Sequence, residues 1–167
     1  MFEGTTTALV TPFVNGGEID FNGFKKNLAH QFNGGVQGLV PLGTTGESPT
    51  ISADERRQVL EFVIREARGK AFVIAGVGTN NTKTTVENAR QATDLGADGL
   101  LVVTPYYNKP TPMGLIKHFA AIADAVDTPI VVYNIKGRTG INIATPTMKE
   151  IAKIPSVVAV KEASGDI

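Results

Sequence analysis

Six short apolar runs, rich in β-branched residues, recur along the chain: "TTTALV" (5–10), "QGLVPL" (37–42), "AFVIAGV" (71–77), "DGLLVV" (98–103), "PIVVYN" (129–134) and "VVAVK" (157–161). Longer segments with helical spacing lie between them, such as "SADERRQVLEFVIREARGK" (52–70) and "TPMGLIKHFAAIADAV" (111–126). Ser52 followed by Glu55 is a capping-box signature for the start of the first of these. The runs are continuously apolar rather than alternating, as in strands whose two faces are both covered. The repeat is roughly 30 residues, the length of a βα unit. Six strands alternating with five helices predict a parallel α/β sheet.

Two architectures fit that alternation: a doubly wound sheet, or part of an eight-stranded barrel. A doubly wound nucleotide binder carries a glycine-rich turn after its first strand, whereas here the turn reads "TPFVNGGEID". "GVGTNN", after the third strand, lacks the third glycine of the dinucleotide fingerprint. In a barrel the residues at the C-terminal ends of successive strands converge on one mouth. Those ends read "GTTGES", "GVGTNN", "TPYYN", "YNIKGRTG" and "KEASGD", each rich in hydroxyls, amides or charges. The pattern favours the barrel.

Composition narrows the function. Lys plus Arg and Asp plus Glu number 16 each in 167 residues, which argues against nucleic acid or an anionic membrane as the main partner. Cysteine is absent, removing disulfides, thiol nucleophiles and thiolate metal sites. The N-terminal "MFEGTTTALVTPF" does not read as a secretory signal, and no apolar stretch approaches the roughly 18 residues of a membrane span. A cytoplasmic location is expected.

Lys161 ends the sixth run, where its stem can lie among apolar strands while its amine rises to the mouth. Desolvation lowers the pKa of such a lysine towards the neutral nucleophile that attacks carbonyl carbon. The competing reading is an edge lysine paired with Glu162 and solvated. Tyr133 ends the fifth strand, beside Lys161 in a barrel, and its phenol can relay protons. Thr44 and Thr45 follow the second strand in a glycine-flanked turn able to hold a carboxylate. All three tyrosines, Tyr106, Tyr107 and Tyr133, fall at expected strand ends. Arg138, past the fifth strand, offers a bidentate fork for a carboxylate. The two histidines, His30 and His118, fall within helical segments, and with no cysteine the mouth has poor metal ligands. No metal is expected; an imine-forming lysine is the better way to activate a carbonyl substrate.

"GTTGESPT", "VTPYYNKPT", "YN" followed by "GRTG", and "VKEASGD" resemble, in order and along the whole chain, the dihydrodipicolinate synthase family of pyruvate-dependent class I aldolases. The resemblance implies a TIM-type (β/α)8 barrel, of which residues 1–167 are the N-terminal portion of a single domain. It implies condensation of pyruvate with aspartate-4-semialdehyde, in lysine and diaminopimelate biosynthesis, without a cofactor. By analogy Lys161 forms the pyruvate imine, and Tyr133, Thr44 and Tyr107 form a proton relay, with Tyr107 supplied across a dimer interface. Thr45 then holds the pyruvate carboxylate and Arg138 receives that of the semialdehyde. A homodimer or homotetramer is implied. Relatives cleaving sugar acids share the lysine and the tyrosine, but the Tyr-Tyr-Asn turn and the "GRTG" arginine favour the synthase.

Three departures limit the analogy. A complete barrel takes about 200–250 residues, so the last two βα units, the C-terminal helices and their pyruvate contacts are expected to be missing, leaving open edges on the first and sixth strands. An alternative is therefore a self-associating partial barrel with little catalysis. Lys136 stands where the family usually has proline, which would stiffen the loop presenting Arg138. Ser48, Asn80 and Tyr106 match the lysine-effector pocket of feedback-inhibited members, but Ala53, Arg56 and Thr84 replace its other residues, so weak lysine feedback is expected.

Overall fold

The computed structural model describes residues 2–165. Asp166, which closes "VKEASGD", lies outside the described residues. In chain order the elements are β1 (Thr6–Ala8), α1 (Phe21–Asn33), β2 (Gly38–Val40), α2 (Ala53–Ala67), β3 (Phe72–Gly76), α3 (Thr82–Asp94), β4 (Gly99–Val103), α4 (Pro112–Ala123), β5 (Ile130–Asn134), α5 (Lys136–Thr139), α6 (Thr145–Ile151) and β6 (Val157–Glu162). Every expected strand is present. The last crossover carries two helices instead of one: Gly140, at φ 76°, ends the single turn of α5, and Pro146 sits in the first turn of α6.

The described residues form two compact units. In the first, up to Gly76 with residues 94–98, β1, β2 and β3 make a parallel ladder in which Thr6 stands opposite Gly38 and Leu39 opposite Val73. Helix α2 begins as the sequence predicts: the Ser52 hydroxyl accepts from the Glu55 N–H, and the Glu55 carboxylate accepts from the Ser52 N–H. Its apolar positions Val59, Leu60, Val63 and Ala67 recur at helical spacing and are buried. Phe62 of α2 lies 5.1 Å, ring to ring, from Phe21 of α1 and 6.2 Å from Phe24. At the end of β3, Gly76 donates to the Pro41 carbonyl, and any Cβ there would strike the Leu42 carbonyl oxygen. Only glycine admits that approach.

In the second unit, residues 77–93 and 99 onward, β4, β5 and β6 form another parallel ladder. β5 is buried throughout and β4 nearly so, as their continuous apolar runs predict. Leu115, Phe119 and Ile122 of α4 and Ile151 of α6 are buried in this unit. β6 differs from expectation. It reads as a fully buried strand, yet Val158 and Val160 are each 42% exposed. Among the described residues β6 pairs with β5 alone.

A register shift between Ile130 and Val131 decides what faces what in this ladder. Ile130 stands opposite Val157, but Val131 stands opposite Ala159, so Val158 is the extra residue of a β-bulge. From there Tyr133 pairs with Lys161 and Asn134 with Glu162. An unbroken register would have set Tyr133 opposite Val160 and turned Lys161 to the other face.

Candidate active site

Lys161 and Tyr133 lie side by side on one face of the ladder, with the ammonium nitrogen 4.3 Å from the centre of the phenol ring. The ring face favours the charged amine, whereas burial disfavours it, and burial prevails. The half-buried Lys161 is held below the ordinary lysine range by desolvation. Tyr133 is 6% exposed.

Glu162, the neighbour that would neutralise Lys161, is turned away from it. Its carboxylate accepts from the side-chain amide of Asn134 at 2.9 Å and from the Ser164 N–H at 2.7 Å. These hydrogen bonds, the Ser164 contact first, hold its pKa below the ordinary carboxylate range. Among the described residues no ion pair joins Lys161 to a carboxylate. The solvated Lys161–Glu162 pair is thereby excluded. Successive residues of a strand point to opposite faces, so the two side chains leave the backbone on different sides.

Arg138 sits on α5, exposed, in a turn closed by hydrogen bonds rather than by proline. The Arg138 and Thr139 N–H groups both donate to the Ile135 carbonyl, and the buried Thr139 hydroxyl donates to it at 2.9 Å. Lys136 occupies the first helical position, where an N–H has no intrahelical partner, so its N–H costs the turn nothing. Tyr107 follows β4 in a turn closed by the Asn108 N–H on the Tyr106 carbonyl. It is 89% exposed and adopts a left-handed φ of 71°. No hydrogen bond or ring contact joins Tyr107 or Arg138 to Lys161 among the described residues.

Thr44 and Thr45 belong to the first unit, on a single 3-10 turn over Thr44–Gly46. The buried Thr11 hydroxyl donates to the Gly46 carbonyl at 2.7 Å and fixes the turn from below. Thr44 is half-buried and Thr45 exposed. Of the positions that the resemblance assigns to an effector pocket, Arg56 is buried and donates to the Gly76 carbonyl at 2.7 Å, while the Asn80 carbonyl accepts from the Asn108 amide at 2.8 Å.

Asn134 and Thr104 escape the sequence reading. Both continue apolar strands and look like ordinary strand ends; only the ladder shows that Asn134 reaches Glu162, and that the Thr104 N–H donates to the Tyr133 carbonyl. The Thr104 hydroxyl is buried without a partner.

Comparison with known proteins shows which family the chain resembles. The dihydrodipicolinate synthetase family model matches residues 1–167. The 4-hydroxy-tetrahydrodipicolinate synthase of Methanospirillum hungatei is 53% identical over 169 residues, covering all of this chain and 58% of its own length. That of Kosmotoga olearia is 48% identical, over 99% of this chain and 56% of its own. Among solved structures, the chloride-inhibited dihydrodipicolinate synthase of Acinetobacter baumannii, complexed with pyruvate, superposes with a TM-score of 0.97 at 42% identity, over all of this chain and 57% of its own. The Thermotoga maritima dihydrodipicolinate synthase superposes with a TM-score of 0.95 at 47% identity. The chain thus spans little more than half the length of the relatives it matches, and its six strands with their helices correspond to part of a TIM-type (β/α) barrel. This protein belongs to the dihydrodipicolinate synthetase family.

Proposed function

We propose that this chain supplies the imine-forming half of a pyruvate-dependent synthase, as the N-terminal portion of a single (β/α)8 barrel domain. The carrying observation is Lys161 at 4.3 Å from the Tyr133 ring, desolvated and, among the described residues, without a carboxylate counter-ion. The neutral amine attacks the carbonyl carbon of pyruvate; a C–N bond forms, and the carbonyl oxygen leaves as water after protonation. The Tyr133 hydroxyl moves those protons. Imine formation makes the methyl group of pyruvate acidic: it loses a proton to the relay, and the resulting enamine carbon adds to the aldehyde of aspartate-4-semialdehyde, whose oxygen takes up a proton, on the route to lysine and diaminopimelate.

Thr44 and Tyr107 join Tyr133 in the proton relay, Thr45 holds the pyruvate carboxylate, and Arg138 receives the semialdehyde carboxylate. These four assignments rest on the motifs "GTTGES", "TPYYN" and "GRTG". The 89% exposure of Tyr107 supports its service to a partner copy, in a homodimer or homotetramer. A cytoplasmic location goes with this reading; no described helix is long and apolar enough to cross a membrane.

Incubation of the chain with pyruvate and borohydride, followed by intact mass and peptide mapping, tests the reading. Hydride reduction of the imine leaves a stable secondary amine, expected on Lys161 alone. Labelling scattered over surface lysines, or none, would sink it and favour a self-associating partial barrel with little catalysis.

A further inference from the structure

Asn134 uses its side chain to the full on the face of the ladder opposite Lys161. It is 2% exposed. Its amide nitrogen donates to Asn142 Oδ1 at 2.7 Å and to Glu162 Oε2 at 2.9 Å, while its oxygen accepts from the Ile143 N–H at 3.1 Å. Its own carbonyl accepts from the Ala163 N–H at 2.9 Å. Three segments meet there: the end of β5 that carries Tyr133, the stretch after α5 that carries Arg138, and the end of β6 that carries Lys161. A buried amide with both hydrogens and its oxygen engaged specifies one arrangement, since any other leaves polar groups unpaired.

We infer that Asn134 is a positioning residue, which holds the Glu162 carboxylate away from the Lys161 amine and locks residues 141–143 behind Arg138. The inference rests on the reading of Lys161 as the reactive amine and adds what keeps that amine free of a counter-ion. The alternative geometry is within reach. Glu162 is exposed and next to Lys161 in the chain, so its carboxylate has room to turn towards the amine once Asn134 lets go. The titratable groups adjoining Lys161 in its ladder are Tyr133 on β5 and Glu162 on its own strand, so freeing Glu162 changes the charge next to the amine directly.

Competitive acetylation with acetic anhydride, followed across pH on the folded chain and read at the Lys161 peptide, tests this without requiring pyruvate to bind. Asn134→Ala should reduce Lys161 labelling at pH 8 several-fold and move its midpoint to higher pH. Adding Glu162→Gln to Asn134→Ala should restore the original curve, a rescue that general loosening of the structure would not give. Glu162→Gln alone keeps an oxygen for Asn134 and should leave the curve where it was. Amide exchange at Ile143 should accelerate in Asn134→Ala. An unmoved midpoint in Asn134→Ala overturns the proposal. So does a midpoint lowered by Glu162→Gln alone, which would show the carboxylate already acting on the lysine, and that variant decides the matter even if Asn134→Ala fails to fold. Borohydride trapping with pyruvate is scored separately: failure to trap with a normal acetylation series sinks the proposed function and not the role of Asn134.

Discussion

Tyr133 stands directly opposite Lys161 across β5 and β6, and covers the amine with its ring at 4.3 Å. The ring and the hydroxyl therefore have separable duties. Tyr133→Phe keeps the apolar cover and should leave the acetylation midpoint of Lys161 nearly unchanged. It removes the proposed proton carrier, so borohydride-trapped adduct should form about a hundredfold more slowly, the lower end of what a positioned acid–base group contributes. Equal trapping rates for the parent and Tyr133→Phe would remove Tyr133 from the chemistry.

Burial lowers the pKa of Lys161 below its unfolded value. Between the folded and unfolded values the unfolded state binds more protons, so stability rises with pH through that window. Below the folded value the desolvation penalty is fully present. Lys161→Met should therefore melt at a higher temperature than the parent at pH 7, with the advantage shrinking as pH approaches the unfolded lysine value of about 10.4. Thermal melts of both proteins at pH 7 and 9.5 give the comparison, and a parent that melts higher at pH 7 would refute it.

His118 on α4 is 3% exposed, shares a 2.9 Å hydrogen bond between Nδ1 and the Thr82 hydroxyl of α3, and among the described residues leaves Nε2 without a partner. Desolvation pushes its pKa down to about 4. Its unfolded value is near 6.5, so the neutral ring's contribution is fully present above about pH 6.5 and is lost as pH falls towards 4, by up to about 3 kcal/mol. His118→Leu removes this titration. Urea midpoints should fall less between pH 7 and pH 5 in His118→Leu than in the parent; parallel slopes would show that some other group is responsible.

Arg56, at a position the resemblance assigns to the lysine-effector pocket, is buried and donates to the Gly76 carbonyl. A second cation brought beside it meets repulsion instead of the acceptors a lysine ammonium requires. Calorimetric titration with millimolar lysine should show no binding, and a saturable heat would contradict this. Arg56→Ala strands a buried carbonyl and should lower stability by about 1–3 kcal/mol, read as a shifted urea midpoint with an unchanged slope.

Strand and helix order was legible because each element advertises itself locally. The apolar runs have strand length, Ser52 and Glu55 mark the start of α2, and glycine and proline punctuate the rest. The extra turn of α5 was not legible, since four residues carry no helical periodicity and Gly140 reads equally well as a loop residue. The exposure of β6 was missed for a related reason: a strand's composition records the faces it can cover, whereas its solvent exposure depends on which neighbours pair with it. Arg56 was noted only as a replacement, and its partner, 20 residues away on β3, appears in no local pattern.

Local patterns along the chain suffice to show that strands and helices alternate, that Lys161, Tyr133, Tyr107 and Arg138 follow or end apolar strands, and that the family motifs stand in order. Those are properties of neighbours along the chain. Tertiary structure decided which of these residues meet. One bulged residue, Val158, brings Lys161 opposite Tyr133 instead of leaving Val160 there, and the same shift delivers Glu162 to Asn134. Side chains alternate with a period of two, so a single inserted residue exchanges the faces of everything beyond it. That choice is made by packing between strands far apart in sequence.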